Sequence, residues 1–438
     1  MATVTRGYHI RTYPNGAQQR LLDRWFGASC WLSNTALEIR SYGYRRAGLR
    51  LTGNDISRWL TQWKRTPGHE WLADIPATIL TQCLRDQDQA FRNFFGVKKD
   101  GTQRKVRTRY PKPKKKQTRA SLRFQDVHKR CWERGELSLP KLGRLKLAEA
   151  LPRTTDGKLV EMPDTVTVTR DPGGRFYVSF KAEVEVAPLP CTGRTVGVDL
   201  GLKHLATLSN GVKIEAPKKY FAAQRYLRRQ KRAQSRKVGA NKGEKPSARY
   251  LKQKMRVGKA QVRVTNQRVN FTHNLTTWLV RQYDEIHIED LNVKALARGM
   301  HAKSIHDAAF GEFRRQLTYK CAWYGRKLIV TGRYERSTGV CTHCGYVTEK
   351  LPLYVREWDC PQCGCEHDRD VSAAIIQKTA KGVPPAGGDL RPQVRAAPER
   401  CASMGEVHGP EIAPEQVLPR EARSVQVNKT CLEHAQLT

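Results

Sequence analysis

Four cysteines and three acids are the residues of this sequence whose types and spacing could do chemistry. Within CTHCGYVTEKLPLYVREWDCPQCGCEHDRD, residues 341–370, two Cys-x-x-Cys knuckles stand fifteen residues apart: Cys341 with Cys344, and Cys360 with Cys363. That spacing is expected of four thiolates closed around one Zn2+ ion. Four protein ligands leave no position for a substrate, so the ion would be a structural clip. Gly345 and Gly364 each follow a knuckle, where the backbone has to turn tightly to aim both thiols at one point. Two matched knuckles fit a redox dithiol poorly, and His343, Cys365 and His367 are neighbours outside the pattern. The chain has twelve cysteines and no apolar leader, which favours metal binding over disulfides.

The acids are Asp199, which ends the apolar stretch TVGV; Glu289, which ends EIHI; and Asp370, which heads a helical stretch just past the knuckles. A carboxylate at the end of a buried strand is costly unless a cation neutralises it. Three such groups converging from separate elements would bind Mg2+ or Mn2+, hard ions that prefer oxygen. Two such ions roughly 4 Å apart can activate water and stabilise the leaving oxygen of a phosphodiester. Each acid also has a plainer reading: Asp368 or Asp370 as a helix N-cap, Glu289 as a strand-end residue, Asp199 as a turn former. Only strand-end placement links the three.

Charge suggests the partner. The 438 residues include 79 Lys and Arg against 41 Asp and Glu, a formal net charge of +38. An excess of that size repels itself unless an anion neutralises it, and nucleic acid is the commonest such anion. The excess is concentrated in two tracts. Residues 98–119 hold eleven basic residues and one acid, and residues 218–268 hold eighteen and one. Such tracts fit a groove that follows a phosphate backbone, with Lys112, Lys114, Lys115 and Lys116 as candidate contacts in the first and Arg228, Arg229, Lys231 and Arg232 in the second. Tyr110, Tyr220, Tyr226 and Tyr250 lie among these charges and could stack on bases. No apolar run approaches the ~20 residues of a membrane span, so no membrane is expected and the chain should stay in the cytoplasm.

The elements that must position these groups fall into modules. A strand at the N-terminus is followed by helical patterns over 17–45, 54–64 and 76–95, then by the first basic tract. Short alternating strands over 122–125, 136–147, 165–170 and 175–186 indicate a small barrel or sandwich, with the helices inserted after its first strand. Past a linker at 187–193 come buried strands at TVGVDL, HLATL and 212–214, and two long basic helices over 217–280, broken near 239–246. EIHIEDL is another short buried strand, KLIVTG a further one, and RDVSAAIIQKTA a last helix. Ser304-Ile305-His306-Asp307 reads as a capping box opening a helix that runs to Gly325. Seven prolines between Pro384 and Pro419, amid glycine and mixed charge, describe a disordered tail.

GVDLGLKHLATLSNG, IHIEDLNVKALAR and CTHCG…CPQCG…HDRDVSAA, in this order, resemble the three RuvC motifs and embedded zinc ribbon of the TnpB (OrfB) family of transposon-encoded proteins, relatives of the type V CRISPR effectors. Residues 311–328 and the N-terminal stretch RTYPNGAQQRLLDRWFGASCWLSN are similar to further family segments, so the resemblance covers roughly residues 6–380. It implies a multidomain α+β protein that is an RNA-guided DNA endonuclease. In that reading residues 1–16 and 120–190 form an oligonucleotide-binding β-barrel, and 17–119 a helical recognition lobe with a basic loop. Residues 191–334 and 368–382 form an RNase H-like RuvC domain, 335–367 the zinc ribbon and 383–438 the tail. The family's catalytic, metal-holding positions fall on Asp199, Glu289 and Asp370. The implied partners are a guide RNA from the transposon end and a double-stranded DNA target, in a prokaryotic cytoplasm at the nucleoid. Guide pairing would read sequence while the protein follows the backbone. The zinc clip would stiffen an insertion before the last helix and so help place Asp370.

Two positions depart from the family pattern. Ser372 and Ile376 stand where asparagines are usual, which predicts weaker support of the site without loss of a metal carboxylate. A rival reading is a guide-programmed DNA binder that no longer cuts and serves as a repressor or regulator of transposition. Loss of an acid would favour it, and all three are present. A single-strand transposase is disfavoured because no His-hydrophobe-His motif with a partnering tyrosine is found.

Overall fold

In a computed structural model, the protein is described over residues 2–96, 108–114, 119–125, 127–154, 157–215, 217–239, 245–300, 302–332, 339–349, 351–352 and 354–379. Lys115, Lys116 and the proline-rich tail lie outside the described residues. The chain divides into two compact units, one of residues 5–184 with 234–262, the other of residues 1–4, 185–233 and 263 onward.

In the first unit, strand β1 (Ala2–Thr12) leads into three helices, α1 (Gly16–Ala47), α2 (Gly53–Trp63) and α3 (Ala77–Phe95). Side chains set the helix ends. Asn15 and Gln18 form a capping box on α1, Thr52 and Asp55 another on α2, and Gly96 ends α3 in the left-handed region at φ 76°. Buried Arg40 pairs with Asp88 at 2.7 Å, and Asp88 also accepts from the Gly53 amide, so one carboxylate ties all three helices. There follow β2 (Ala120–Phe124), a short helix α4 (Lys129–Glu133), β3 (Leu137–Leu139), β4 (Gly143–Leu145), β5 (Val166–Arg170) and β6 (Phe176–Val186). The expected strand over 136–147 is a tight antiparallel hairpin of β3 and β4.

The larger sheet has the order β1-β6-β5-β2, so the chain returns beside its first strand after the helices. Alternating Phe176, Val178 and Phe180 of β6 and Val166 and Val168 of β5 bury one face. The sheet is open at β1 and β2, and no closed barrel exists among the described residues.

The second unit is built on a five-stranded sheet, β11-β10-β7-β8-β9. The strands β7 (Thr195–Asp199), β8 (Ala206–Leu208) and β9 (Lys213–Ile214) form an antiparallel meander, and helices α5 (Lys218–Ser235) and α6 (Ala248–Gln282) follow it. The chain returns as β10 (Glu285–Glu289), parallel to β7. Two short helices, α7 (Val293–Leu296) and α8 (Ala302–Ala308), precede α9 (Phe310–Tyr324) and β11 (Lys327–Thr331), which lies parallel on the other side of β10. Residues 304–307 lie inside α8 and do not cap it. The break falls instead at Ala309, left-handed at φ 54°, immediately before α9. Val196, Val198, Ile286, Ile288, Leu275 and Leu317 are core residues of this unit, and the middle three residues of both β7 and β10 are buried, in β10 with His287 between two isoleucines. The last elements are a hairpin of β12 (Glu357–Asp359) and β13 (Glu366–Asp368), and helix α10 (Arg369–Thr379). No helix of the described residues is long and apolar enough to cross a membrane.

Candidate active site

The register of the parallel strands puts the first two acids side by side. Val196 pairs with Ile286 and Val198 with Ile288, so Asp199 and Glu289 leave adjacent strands at the same edge. Neighbouring strands run roughly 4.8 Å apart. The third acid arrives on α10, which packs directly on β7. Gly197 is what allows that approach, since a Cβ there would overlap the Ala374 carbonyl oxygen. Ala373 and Ala374 are buried on the same face. Asp370 is the second residue of this helix, where the N-terminal dipole favours a negative charge.

Each acid has a different environment. Burial pushes the Asp199 carboxyl up to about 7, helped by the charges of Asp370 and Glu289 and opposed by a hydrogen bond from Gln377 and by Arg356. Glu289 is also held above its usual range, by burial first and then by Asp290. Asp290 is itself engaged by Arg314 of α9. Asp370 pairs with Arg356 at 3.0 Å. Such a set of half-buried carboxylates, two of them held above their usual range, fits hard divalent cations with oxygen preference. Among the described residues, only thiol and imidazole donors gather in groups of three or more within 4.8 Å, so the carboxylates are spaced more widely than the thiolates.

The cysteine cluster closes tightly. Sγ atoms of Cys341 and Cys363 lie 3.6 Å apart, as do those of Cys344 and Cys360. A tetrahedron with Zn–S bonds of about 2.3 Å has edges of about 3.8 Å, so the four sulfurs are spaced for zinc. Gly345 and Gly364 adopt φ of 78° and 71°, and their amides donate to the carbonyls of Cys341 and Cys360, giving both knuckles the same turn. Buried His367 lies 3.0 Å from the Cys341 sulfur through Nε2 and stacks on Trp358. Cys365 and His343 form a second group with Cys363, outside the four-thiolate set.

Asp368 is the cap of α10. Its Oδ1 accepts from the amides of Asp370 and Val371, and its other oxygen pairs with Lys213 of β9. Burial pushes the Asp368 carboxyl up, but Lys213 and those amides outweigh it and hold it below the usual range. Arg356, Lys213 and Gln377 escaped the sequence reading. Only Gln377 left a signal, being seven residues past Asp370 and so on the same helix face.

Of the candidate phosphate contacts, Lys112, Lys114, Arg228, Arg229, Lys231 and Arg232 are exposed, the last four on α5. The tyrosines divide. Tyr220 is buried beside Phe221 and is a packing residue, whereas Tyr110 meets Phe91 and Phe94 edge-on and is otherwise exposed. Tyr226 is exposed, with Arg229 over its ring at 5.7 Å.

Three family profiles match this chain: "Probable transposase" over residues 179–300, "Cas12f1-like, TNB domain" over 310–376 and "Helix-turn-helix domain" over 1–48. The last of these stretches folds here as β1 and the single long helix α1. A Streptomyces pristinaespiralis protein named "Putative RNA-guided DNA endonuclease" is 38% identical over 399 residues, covering 90% of this chain and 94% of that protein. The Escherichia coli K12 protein "Putative RNA-guided DNA endonuclease InsQ" is 28% identical, covering 84% and 90%. The structure titled "Cryo-EM structure of the Cas12f1-sgRNA-target DNA complex" aligns with a TM-score of 0.46 at 11% identity, over 86% of this chain and 99% of that one. The chain belongs to the TnpB (OrfB) family.

Proposed function

We propose that this protein is an RNA-guided DNA endonuclease that hydrolyses phosphodiester bonds of target DNA at Asp199, Glu289 and Asp370. One observation carries the reading: the parallel register sets Asp199 and Glu289 side by side at one end of the sheet, and α10, whose second residue is Asp370, packs on β7 and reaches Asp199 through Gln377. Three acids in one electrostatic neighbourhood, drawn from residues 199, 289 and 370, are unfavourable without cations. The five-stranded sheet with its first three strands antiparallel and the next two parallel supports an RNase H-like, RuvC-type assignment.

Asp199, Glu289 and Asp370 would hold Mg2+ or Mn2+, and the four thiolates Zn2+. When bound, the hard ions supply an activated water and charge stabilisation of the leaving oxygen. The chain's own part is positional. The parallel register fixes Asp199 beside Glu289, α10 packed on β7 carries Asp370 at its first turn, and Asp199 would give up its proton on holding a cation. Exposed arginines and lysines such as Arg228 and Arg229 hold phosphate backbone, and guide RNA pairing selects the sequence. The name of the Streptomyces relative favours guide RNA and DNA as the partners. A transposon-end origin of the RNA and a place at the nucleoid follow from the family resemblance.

The test is cleavage of double-stranded DNA by the chain purified with its own RNA. Mg2+-dependent cutting is expected, with Asp199→Ala abolishing it while retaining DNA binding. Cutting that persists in Asp199→Ala refutes the assignment. An unaltered chain that binds its target and never cuts establishes the binder reading instead.

A further inference from the structure

We propose that Gln377 is a positioning residue of the carboxylate site, its Nε2 fixing Asp199 and its Oε1 reserved for a water in the shell of the ion held there. This rests on the catalytic reading above. Gln377 lies seven residues beyond Asp370 on α10, so both project from the face of the helix that meets β7, with Ala373 and Ala374 between them. It is only 2% exposed. Its Nε2 donates to Asp199 Oδ1 at 3.3 Å.

The other half of the same amide is the informative part. Gln377 Oε1 is buried and has no hydrogen-bond partner among the described residues. Buried polar atoms are nearly always satisfied, so an orphan asks what completes it. Turning the amide over would only exchange the orphan, since Oε1 would then face the Asp199 carboxyl and the buried Nε2 would be left without a partner. An acceptor beside a carboxylate site matches a donor, and Mg2+ keeps several of its waters, each of which donates and does not accept. A leucine here would fill the space without any such need. The family resemblance implies weakened support of the site at Ser372 and Ile376. Here an amide one residue further on reaches the carboxylate.

Partners that orient a metal ligand typically contribute ten- to a hundredfold in metal affinity. In Gln377→Met, which keeps the side-chain length, and in Gln377→Leu, the Mg2+ concentration for half-maximal DNA cleavage by the RNA-loaded protein should rise by about that factor. Cleavage should recover at saturating Mg2+, and the Mn2+ dissociation constant of the full chain without RNA, read by electron paramagnetic resonance, should weaken in parallel. A purely structural glutamine would lower the melting temperature and leave both metal readouts within twofold, and that result in either folded variant overturns the proposal. Asp199→Ala is run alongside. If it abolishes cleavage while the Gln377 variants keep parental Mg2+ dependence, only this inference falls. If Asp199→Ala cuts normally, the catalytic reading falls with it.

Discussion

Gly197→Ala tests whether the contact between β7 and α10 sets the geometry of the acids. A Cβ at this position would lie 2.9 Å from both the Ala374 carbonyl carbon and the Lys378 amide nitrogen, and would overlap the Ala374 oxygen. Ordinary contact begins at 3.4 Å, so from 2.9 Å the helix must withdraw by at least 0.5 Å, and by more at the oxygen. All three atoms are backbone and cannot rotate aside. Gly197 sits in an extended strand without positive φ, so alanine is conformationally acceptable and the effect is purely steric. Overpacking of this kind costs about 1–3 kcal/mol of stability. The helix carries Asp370, and a misplacement near 1 Å can reduce a rate by about a hundredfold. Single-turnover cleavage at saturating Mg2+ should therefore fall about ten- to a hundredfold, with RNA binding and zinc content unchanged. Gly27→Ala is the control, since its Cβ would meet nothing within 4 Å. Cleavage by Gly197→Ala within threefold of the parent, at an unchanged melting temperature, would refute the reasoning.

The raised Asp199 carboxyl makes a signed statement about pH. Its folded value of about 7 lies above the usual 3.8, because burial, Asp370 and Glu289 oppose ionisation, so folding takes up a proton. Asp199's own contribution to metal-free stability should be fullest below pH ~4 and be lost as pH rises towards 7, so the difference in stability between Asp199→Asn and the parent in urea titrations should change over that window. Cleavage at limiting Mg2+ should rise over the same window, its midpoint moving to lower pH as Mg2+ increases. Cys360→Ser removes a buried thiolate of the cluster. It should abolish zinc content, open the 339–368 segment to protease and reduce cleavage, and retained zinc with full cutting would show the cluster to be dispensable. Replacing Arg228, Arg229, Lys231 and Arg232 together with glutamine should lower the slope of log affinity against log salt for the guide RNA by about 3, at ~0.7 per lost single-strand phosphate contact. An unchanged slope would remove α5 from the RNA interface.

Much of the second unit was legible because its signals are local. The short β-branched stretches around Val196 and Val198 and around Ile286 and Ile288 read as buried strands, and the cysteine spacing specifies a metal cluster without any tertiary information. The long-range features were less readable. Whether four short strands close into a barrel depends on pairing between edges, which alternation does not encode, and here the edges stay open. Tyr220 looked like a stacking residue because it lies in a basic tract, yet the burial of its helix face decides its role. Arg356 and Lys213 carry no pattern at all. Their partners Asp370 and Asp368 are fourteen and 155 residues away.

The proximity of a zinc cluster to the acids has a mechanical explanation. The β12–β13 hairpin has only three paired positions, and an isolated two-stranded hairpin is marginal in water. Closing four thiolates at its tip is what can make it rigid. Its second strand ends at Asp368 and α10 begins at Arg369, with no loop between them, and the Arg369 amide donates to the Arg356 carbonyl at the hairpin base. Rigidity at the cluster therefore passes along β13 to the cap that Asp368 makes, and so to Asp370. Asp199 and Glu289 are set by the register of β7 and β10, with Asp199 also held by Gln377 from the far end of α10. Zinc loss should accordingly release Asp370 first and leave the other two acids in register, with Asp199 relieved of one of the charges that raise its pKa.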